Sequence, residues 1–306
     1  MDLLVILLLP ALLVPAVAGR GPARRLGRRL RPRTGRGPLR AADGAAGAVA
    51  RSLAALIVAW AAAGVPAAAS EPPPTVQQAS AAAGFPQVSW ADVAGPSGDT
   101  VTPAATRAAR RSSVKIEGAT GSQGLEGSGF VYAPEHVLTN AHVVAGIDAP
   151  SVRIGGLGRP YEARVVLFDP DKDVAVLYVP GLRAPVLRFD DDAERGEAAV
   201  VAGYPQDGGL ELQAATIADR VRATGQDIYS DEAVTRDVYA IHCTVRPGNS
   251  GGPLLTPDGR VFGVVFARST SDDGKAYVLT ADEVAPEADR GADATAQVDT
   301  GELITS

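Results

Sequence analysis

Three residue types in this chain, widely separated, are suited to acyl transfer. Ser250 sits in Gly248-Asn249-Ser250-Gly251-Gly252-Pro253, after a β-type run at 237–245 and before an apolar run at 261–266. Glycines flanking a serine let the backbone turn sharply and let a substrate carbonyl come close. In such a turn the amides of Gly248 and Ser250 can point at one spot, as an oxyanion hole requires. A serine hydroxyl is a weak nucleophile until a neighbouring base takes its proton, and histidine suits that task near neutral pH. The chain has three histidines, His136, His142 and His242. His142 follows Leu138-Thr139-Asn140-Ala141, where a β-run at 136–139 breaks into small residues, so it is expected at a strand end. His136 falls within that strand, and His242 reads as an ordinary strand residue. The group that orients the imidazole is sought among Asp169, Asp171 and Asp173. Asp173 is favoured because it immediately precedes the buried-type run Val174-Ala175-Val176-Leu177, whereas the two aspartates flanking Pro170 read as solvated turn residues.

The order His142, Asp173, Ser250 and the motifs around them resemble the trypsin/chymotrypsin-like serine peptidases. Gly127-Ser128-Gly129-Phe130-Val131, one strand before the histidine, belongs to the same likeness. Within that family, Thr139-Asn140-Ala141-His142-Val143-Val144-Ala145-Gly146 and Val234-Thr235-Arg236-Asp237-Val238-Tyr239 resemble the actinobacterial membrane-anchored proteases typified by the mycobacterial acid-resistance periplasmic protease. The likeness runs over residues 106–284. It implies that Ser250 is the nucleophile, His142 the general base and then acid, and Asp173 the group that holds the imidazole tautomer. It also implies an oxyanion hole made by the amides of Gly248 and Ser250. It places Thr244 at the base of the primary specificity pocket and Phe266, Ala267 and Arg268 on the substrate-facing strand. Thr244 is neutral, so cleavage after small or medium apolar residues is expected.

Departures from the pattern carry information too. Asn249, not aspartate, precedes the serine, which argues against activation by insertion of a freed N-terminus. The periplasmic quality-control proteases share this asparagine but carry a peptide-binding domain, and the 26 residues after Thr280 are too few for one. Cys243 is the single cysteine, so no intramolecular disulfide can form. The cysteine pair implied by the mycobacterial resemblance has no counterpart at 121–124 or 301–304. Cys243 reads as a small buried hydrophobe.

The net charge of −6 hides an asymmetry: residues 1–51 hold ten arginines against Asp2 and Asp43, which leaves the remainder at −14. So acidic a region excludes nucleic acid as a partner; protein or peptide substrates are expected. No metal or cofactor is called for. Residues 3–19 and 52–69 are uncharged runs of 17 and 18 residues separated by an arginine-rich link at 20–51. At 1.5 Å per residue the first reaches about 26 Å, marginally enough to cross a bilayer. The link is expected on the cytoplasmic side, which puts the protease outside, on the cell membrane's extracytoplasmic (periplasmic) face, with membrane lipid around the N-terminal helices. The second run also resembles a cleavable signal, so a secreted protease of the same fold is the alternative, as is a membrane scaffold or peptide-binding protein.

The expected organisation is a membrane segment at 1–70, resembling part of a colicin V production-like segment, then a Pro- and Ala-rich linker at 71–105, a protease domain at 106–285 and a tail at 286–306. Short β-type runs fall in two sets. The first covers 114–117, 127–132, 136–139, 151–154, 162–168 and 174–179; the second covers 198–203, 210–217, 238–245, 261–268 and 276–279. Many short strands with turn signals predict a mainly β fold, a double six-stranded β-barrel of chymotrypsin type, preceded by an α-helical transmembrane segment and linker. Thr280-Ala281-Asp282-Glu283 fits a capping box and predicts a closing helix.

Overall fold

A computed structural model describes residues 6–8, 14–15, 88–90, 93–120, 123–269 and 271–304. The chain divides into two units, residues 1–17 with 76–306 and residues 18–75. The described residues all belong to the first. The expected span at 52–69, most of that at 3–19, the basic link and most of the linker lie outside the described residues. Five residues of the first apolar run are described, and they are extended rather than helical: β1 (Ile6–Leu8) and β2 (Val14–Pro15). Each adds to an edge of the body, β1 antiparallel to residues 267–269 and β2 to residues 123–124, so strand pairing satisfies their backbone groups. Among the described residues no helix is long and apolar enough to cross a membrane.

The body is mainly β and built from two curled sheets. The N-terminal sheet contains β3 (Ser113–Thr120), β4 (Gln123–Ala133), β5 (His136–Thr139), β6 (Ser151–Ile154), β7 (Tyr161–Glu162), β8 (Arg164–Asp169) and β9 (Val174–Tyr178). They hydrogen-bond in the order β7-β6-β3-β4-β5-β9-β8. The C-terminal sheet contains β10 (Ala198–Gly203), β11 (Glu211–Gln226), β12 (Ala233–His242), β13 (Pro253–Leu255), β14 (Val261–Ser269) and β15 (Lys275–Thr280). Its order is β14-β13-β10-β11-β12-β15, and β14 pairs back onto β15. All pairings between these strands are antiparallel, as short connections allow.

Alternation along each strand sends one set of side chains into its own sheet and the other set between the sheets. Val114, Ile116, Val137, Val152, Ala175 and Leu177 fill the N-terminal sheet, and Val201, Ile217, Ile241, Leu254 and Val278 fill the C-terminal one. A third cluster joins them: Phe130, Leu138, Val174 and Val176 from one side meet Val200, Val264, Phe266 and Leu279 from the other. Each such side chain contributes about 1.5–3 kcal/mol on burial, so this seam holds the two sheets in one fixed relation. The helix Ala281–Gly291 packs on the same cluster through Val284 and Ala288. Thr280 caps it by accepting from the Glu283 amide at 3.1 Å. The reciprocal half of the expected box is absent, because the Glu283 carboxylate accepts instead from the Asp237 amide at 3.0 Å.

Two regions differ from the sequence reading. The β11–β12 hairpin runs far past the expected strand ends. Val221 and Ala223 are buried there, but Asp219, Arg220, Arg222 and Asp237 dominate the segment and leave only a short apolar signal; Arg220 and Asp237 pair across it at 2.6 Å. And within the stretch expected to be linker, Trp90 is held on the C-terminal sheet, edge-on to His242 with centroids 5.2 Å apart, under the Lys275 ammonium at 4.7 Å. The Ser89 amide also donates to Asp219 at 3.1 Å. The aromatic ring has a cation and two ring neighbours to bury against, which composition does not reveal.

Candidate active site

His142 and Asp173 are brought together by the pairing of β5 with β9, in which Thr139 lies opposite Ala175. Antiparallel register then carries the residues just after β5 toward those just before β9. A short helix, Ala141–Val144, turns the imidazole back over this end. The Nδ1 atom of His142 lies 2.7 Å from Asp173 Oδ2, and the His142 backbone amide donates to Oδ1 at 2.9 Å. Asp173 is fully buried and adopts φ of +60°, a conformation uncommon for a residue with a side chain. Asn140 holds it there, its Nδ2 donating to the Asp173 carbonyl at 2.8 Å. Asp171 is exposed in the turn, as expected, whereas Asp169 is the half-buried last residue of β8 and accepts from the Lys172 amide. His242 is half-buried on β12 against Trp90.

Ser250 comes from the loop between β12 and β13. Gly248 and Gly251 have φ of +94° and +82°, open to glycine and strained for other residues. A Cβ on Gly251 would also collide with the Ser128 carbonyl oxygen and Thr139 Oγ1. This close approach seats the serine loop against the end of β5, three residues before His142. Ser250 is buried, and its carbonyl accepts from the Ser128 amide at 2.8 Å. Among the described residues, neither the Gly248 nor the Ser250 amide is given to a backbone carbonyl. The Pro247 carbonyl, in the same peptide unit as the Gly248 amide, accepts from Gln206 at 2.9 Å, so that amide points the opposite way. Ser250 Oγ and His142 Nε2 are both buried and neither has a hydrogen-bond partner. The serine–histidine bond is therefore open here, as such bonds commonly are before a substrate arrives.

Of the residues expected at the specificity pocket, Phe266 and Ala267 are fully buried on β14, Arg268 is half-buried, and Thr244 is exposed. Arg268 pairs with Asp273 at 3.4 Å, while Asp272 accepts from the Gly274 amide and pairs with Lys275 at 3.1 Å. Cys243 is buried, and burial pushes its thiol up to about 12. The sequence reading passed over Asn140 and over the side chain of Ser128, whose partners lie 33 and 120 residues away. It also passed over Arg236, which is almost wholly buried with Nε and Nη2 unpartnered and its guanidinium 6.0 Å from the Phe266 ring centre. Burial lowers the pKa of that guanidinium, and Asp173 leads the acidic groups that oppose the shift.

Comparison with known proteins gives the family. A family model described as a trypsin-like peptidase domain matches residues 127–264. The serine protease Rv3671c of Mycobacterium tuberculosis is 49% identical over 163 residues, 53% of this chain and 41% of that protein. A DegP-like periplasmic serine endoprotease of Ectopseudomonas mendocina is 34% identical over 159 residues, 50% of this chain and 32% of that protein. The chain thus matches less than half the length of either. Among solved structures, the active form of the Rv3671c protease superposes with a TM-score of 0.68 at 42% identity, covering 72% of this chain and 98% of that one. With its two curled sheets and these matches, the chain belongs to the trypsin-like serine peptidase family.

Proposed function

We propose that this chain is a serine endopeptidase that hydrolyses peptide bonds of extracytoplasmic proteins through His142, Asp173 and Ser250. The reading rests above all on the buried His142–Asp173 pair, whose far nitrogen, Nε2, is left unpartnered, as is the buried Ser250 Oγ. Ser250 Oγ attacks the scissile carbonyl as Nε2 takes its proton. The amides of Gly248 and Ser250 receive the oxyanion. The imidazolium, steadied by Asp173, passes the proton to the leaving amine, and water repeats the cycle on the acyl-enzyme.

Asp272 and Asp273, the carboxylates nearest in sequence to Arg268, are engaged with Lys275 and Arg268. The primary pocket beside Thr244, Phe266, Ala267 and Arg268 is thus without a free carboxylate for a substrate Lys or Arg, and it takes small or medium apolar residues. The antiparallel pairing of β1 with residues 267–269 supports an edge there that an extended substrate could pair with. The apolar run at 52–69 anchors the enzyme in the cell membrane, with its protease domain outside, in a role tied to envelope or acid stress.

Labelling by a fluorophosphonate probe tests the reading. The wild-type chain labels, and Ser250→Ala and His142→Ala do not. Labelling that survives Ser250→Ala overturns it, and a wild-type chain that never labels favours a peptide-binding relative without catalysis. A peptide library that returns dominant cleavage after Arg or Lys overturns the pocket assignment.

A further inference from the structure

Ser128 stands between Gly127 and Gly129 on β4, and its side chain is fully buried. Its Oγ donates to the Gly248 carbonyl at 2.6 Å and accepts from the Tyr204 amide at 2.9 Å. Its own amide donates to the Ser250 carbonyl at 2.8 Å, and its carbonyl accepts from Thr139 Oγ1 at 2.7 Å. One residue of the N-terminal sheet therefore grips both residues of the β12–β13 loop whose amides are proposed to form the oxyanion hole. Through Thr139 it also grips the strand that ends just before His142.

The two peptide units around Gly248 are pinned separately. Gln206 holds the Pro247 carbonyl, which aims the Gly248 amide; the Ser128 hydroxyl holds the Gly248 carbonyl, which stops the next unit from rotating. A hydroxyl can accept from one amide and donate to one carbonyl at the same time, a pairing beyond any apolar side chain of its size. The packing around it is close: a Cβ on Gly203 would lie 3.0 Å from Ser128 Oγ.

We propose that Ser128 is a positioning residue for the oxyanion hole, its hydroxyl bridging Tyr204 and Gly248 to keep the Gly248 amide aimed at the transition state. The inference rests on the proposed roles of Ser250 and Gly248. The test compares wild type, Ser250→Ala and Ser128→Ala on a peptide substrate. It adds binding of a matching peptide aldehyde, which forms an oxyanion on Ser250, and of the matching peptide amide, which does not. Ser128→Ala is expected to lower kcat by about 10- to 100-fold, short of the roughly 10²–10³ lost with an oxyanion donor itself. KM and affinity for the amide stay within about twofold, while aldehyde affinity falls by the same factor as kcat, as binding confined to the transition state requires. An unchanged kcat and aldehyde affinity in a variant that only melts earlier overturns the proposal, as does a matching loss of amide affinity. Should Ser128→Ala not fold, Ser128→Cys, with its weak donor and acceptor, is held to the same criteria. Wild-type activity that survives Ser250→Ala would instead overturn the underlying assignment, so the two failures are distinguishable.

Discussion

His142 grips Asp173 twice, through Nδ1 to Oδ2 at 2.7 Å and through its backbone amide to Oδ1 at 2.9 Å. Both carboxylate oxygens are thereby satisfied by one residue, and the ring cannot turn without breaking its own anchor. Asp173→Asn keeps the shape but offers an N–H donor where an acceptor is needed, which favours the wrong imidazole tautomer. Its kcat is expected to fall by about 10⁴-fold with little change in Tm. Steady-state kinetics beside a thermal melt check this; a loss below tenfold would show that the tautomer is set elsewhere.

Gly251→Ala should damage both fold and activity. The new methyl meets the Ser128 carbonyl and Thr139 Oγ1, and the backbone sits at φ of +82°. We expect a loss of about 2–4 kcal/mol, from strain of 1–3 kcal/mol plus displacement of the serine loop. Denaturant unfolding measures it. A variant with wild-type stability and rate would contradict the close approach.

Glu126 gives a pH-dependent prediction. It is buried on β4 near Lys115, Glu117 and Asp207, with Oε2 unpartnered. Burial is the largest influence on it, Lys115 opposes, and its pKa rises from the ordinary 4.5 to about 7. A folded-state pKa above the unfolded one means that the folded state binds the proton more tightly. Stability is then fullest below about pH 4.5 and is lost as pH rises toward 7. Glu126→Gln removes the ionisation. It should raise Tm at pH 8 by roughly 2–4 °C for each kcal/mol relieved and leave Tm unchanged at pH 4. Equal shifts at both values would attribute the effect to packing.

Cys243 should be inert in the folded protein. Burial both blocks access and holds the thiol protonated, so iodoacetamide at pH 8 should leave activity intact and modify the residue only after denaturation. Mass spectrometry of native and unfolded samples reads this directly; rapid native labelling would mean that this part of the chain after β12 opens.

The sequence by itself carried the residues of the proposed triad and much of the sheet pattern. Ser250 among glycines, His142 after an apolar strand and Asp173 before another are local signals, each legible from residue type and its immediate neighbours. Alternating apolar runs likewise gave most strands of both sheets, because burial on one face imposes a period of two. The long hairpin of β11 and β12 escaped because its buried alternation is only Val221 and Ala223, set among charged residues that pair across the strands. Trp90 escaped because its anchoring partners, His242 and Tyr277, lie more than 150 residues away. What only the tertiary structure decided is the set of contacts between residues far apart in sequence: Ser128 of the N-terminal sheet on Gly248 and Ser250, Asn140 on Asp173 within the N-terminal half, and Arg236 beside Phe266 within the C-terminal sheet. Nothing in the residues next to Ser128 announces an amide and a carbonyl 76 and 120 positions onward. Those partners exist only once the apolar seam has packed the sheets together, and a hydrogen bond over such a separation is specified by that packing rather than by its neighbours in sequence.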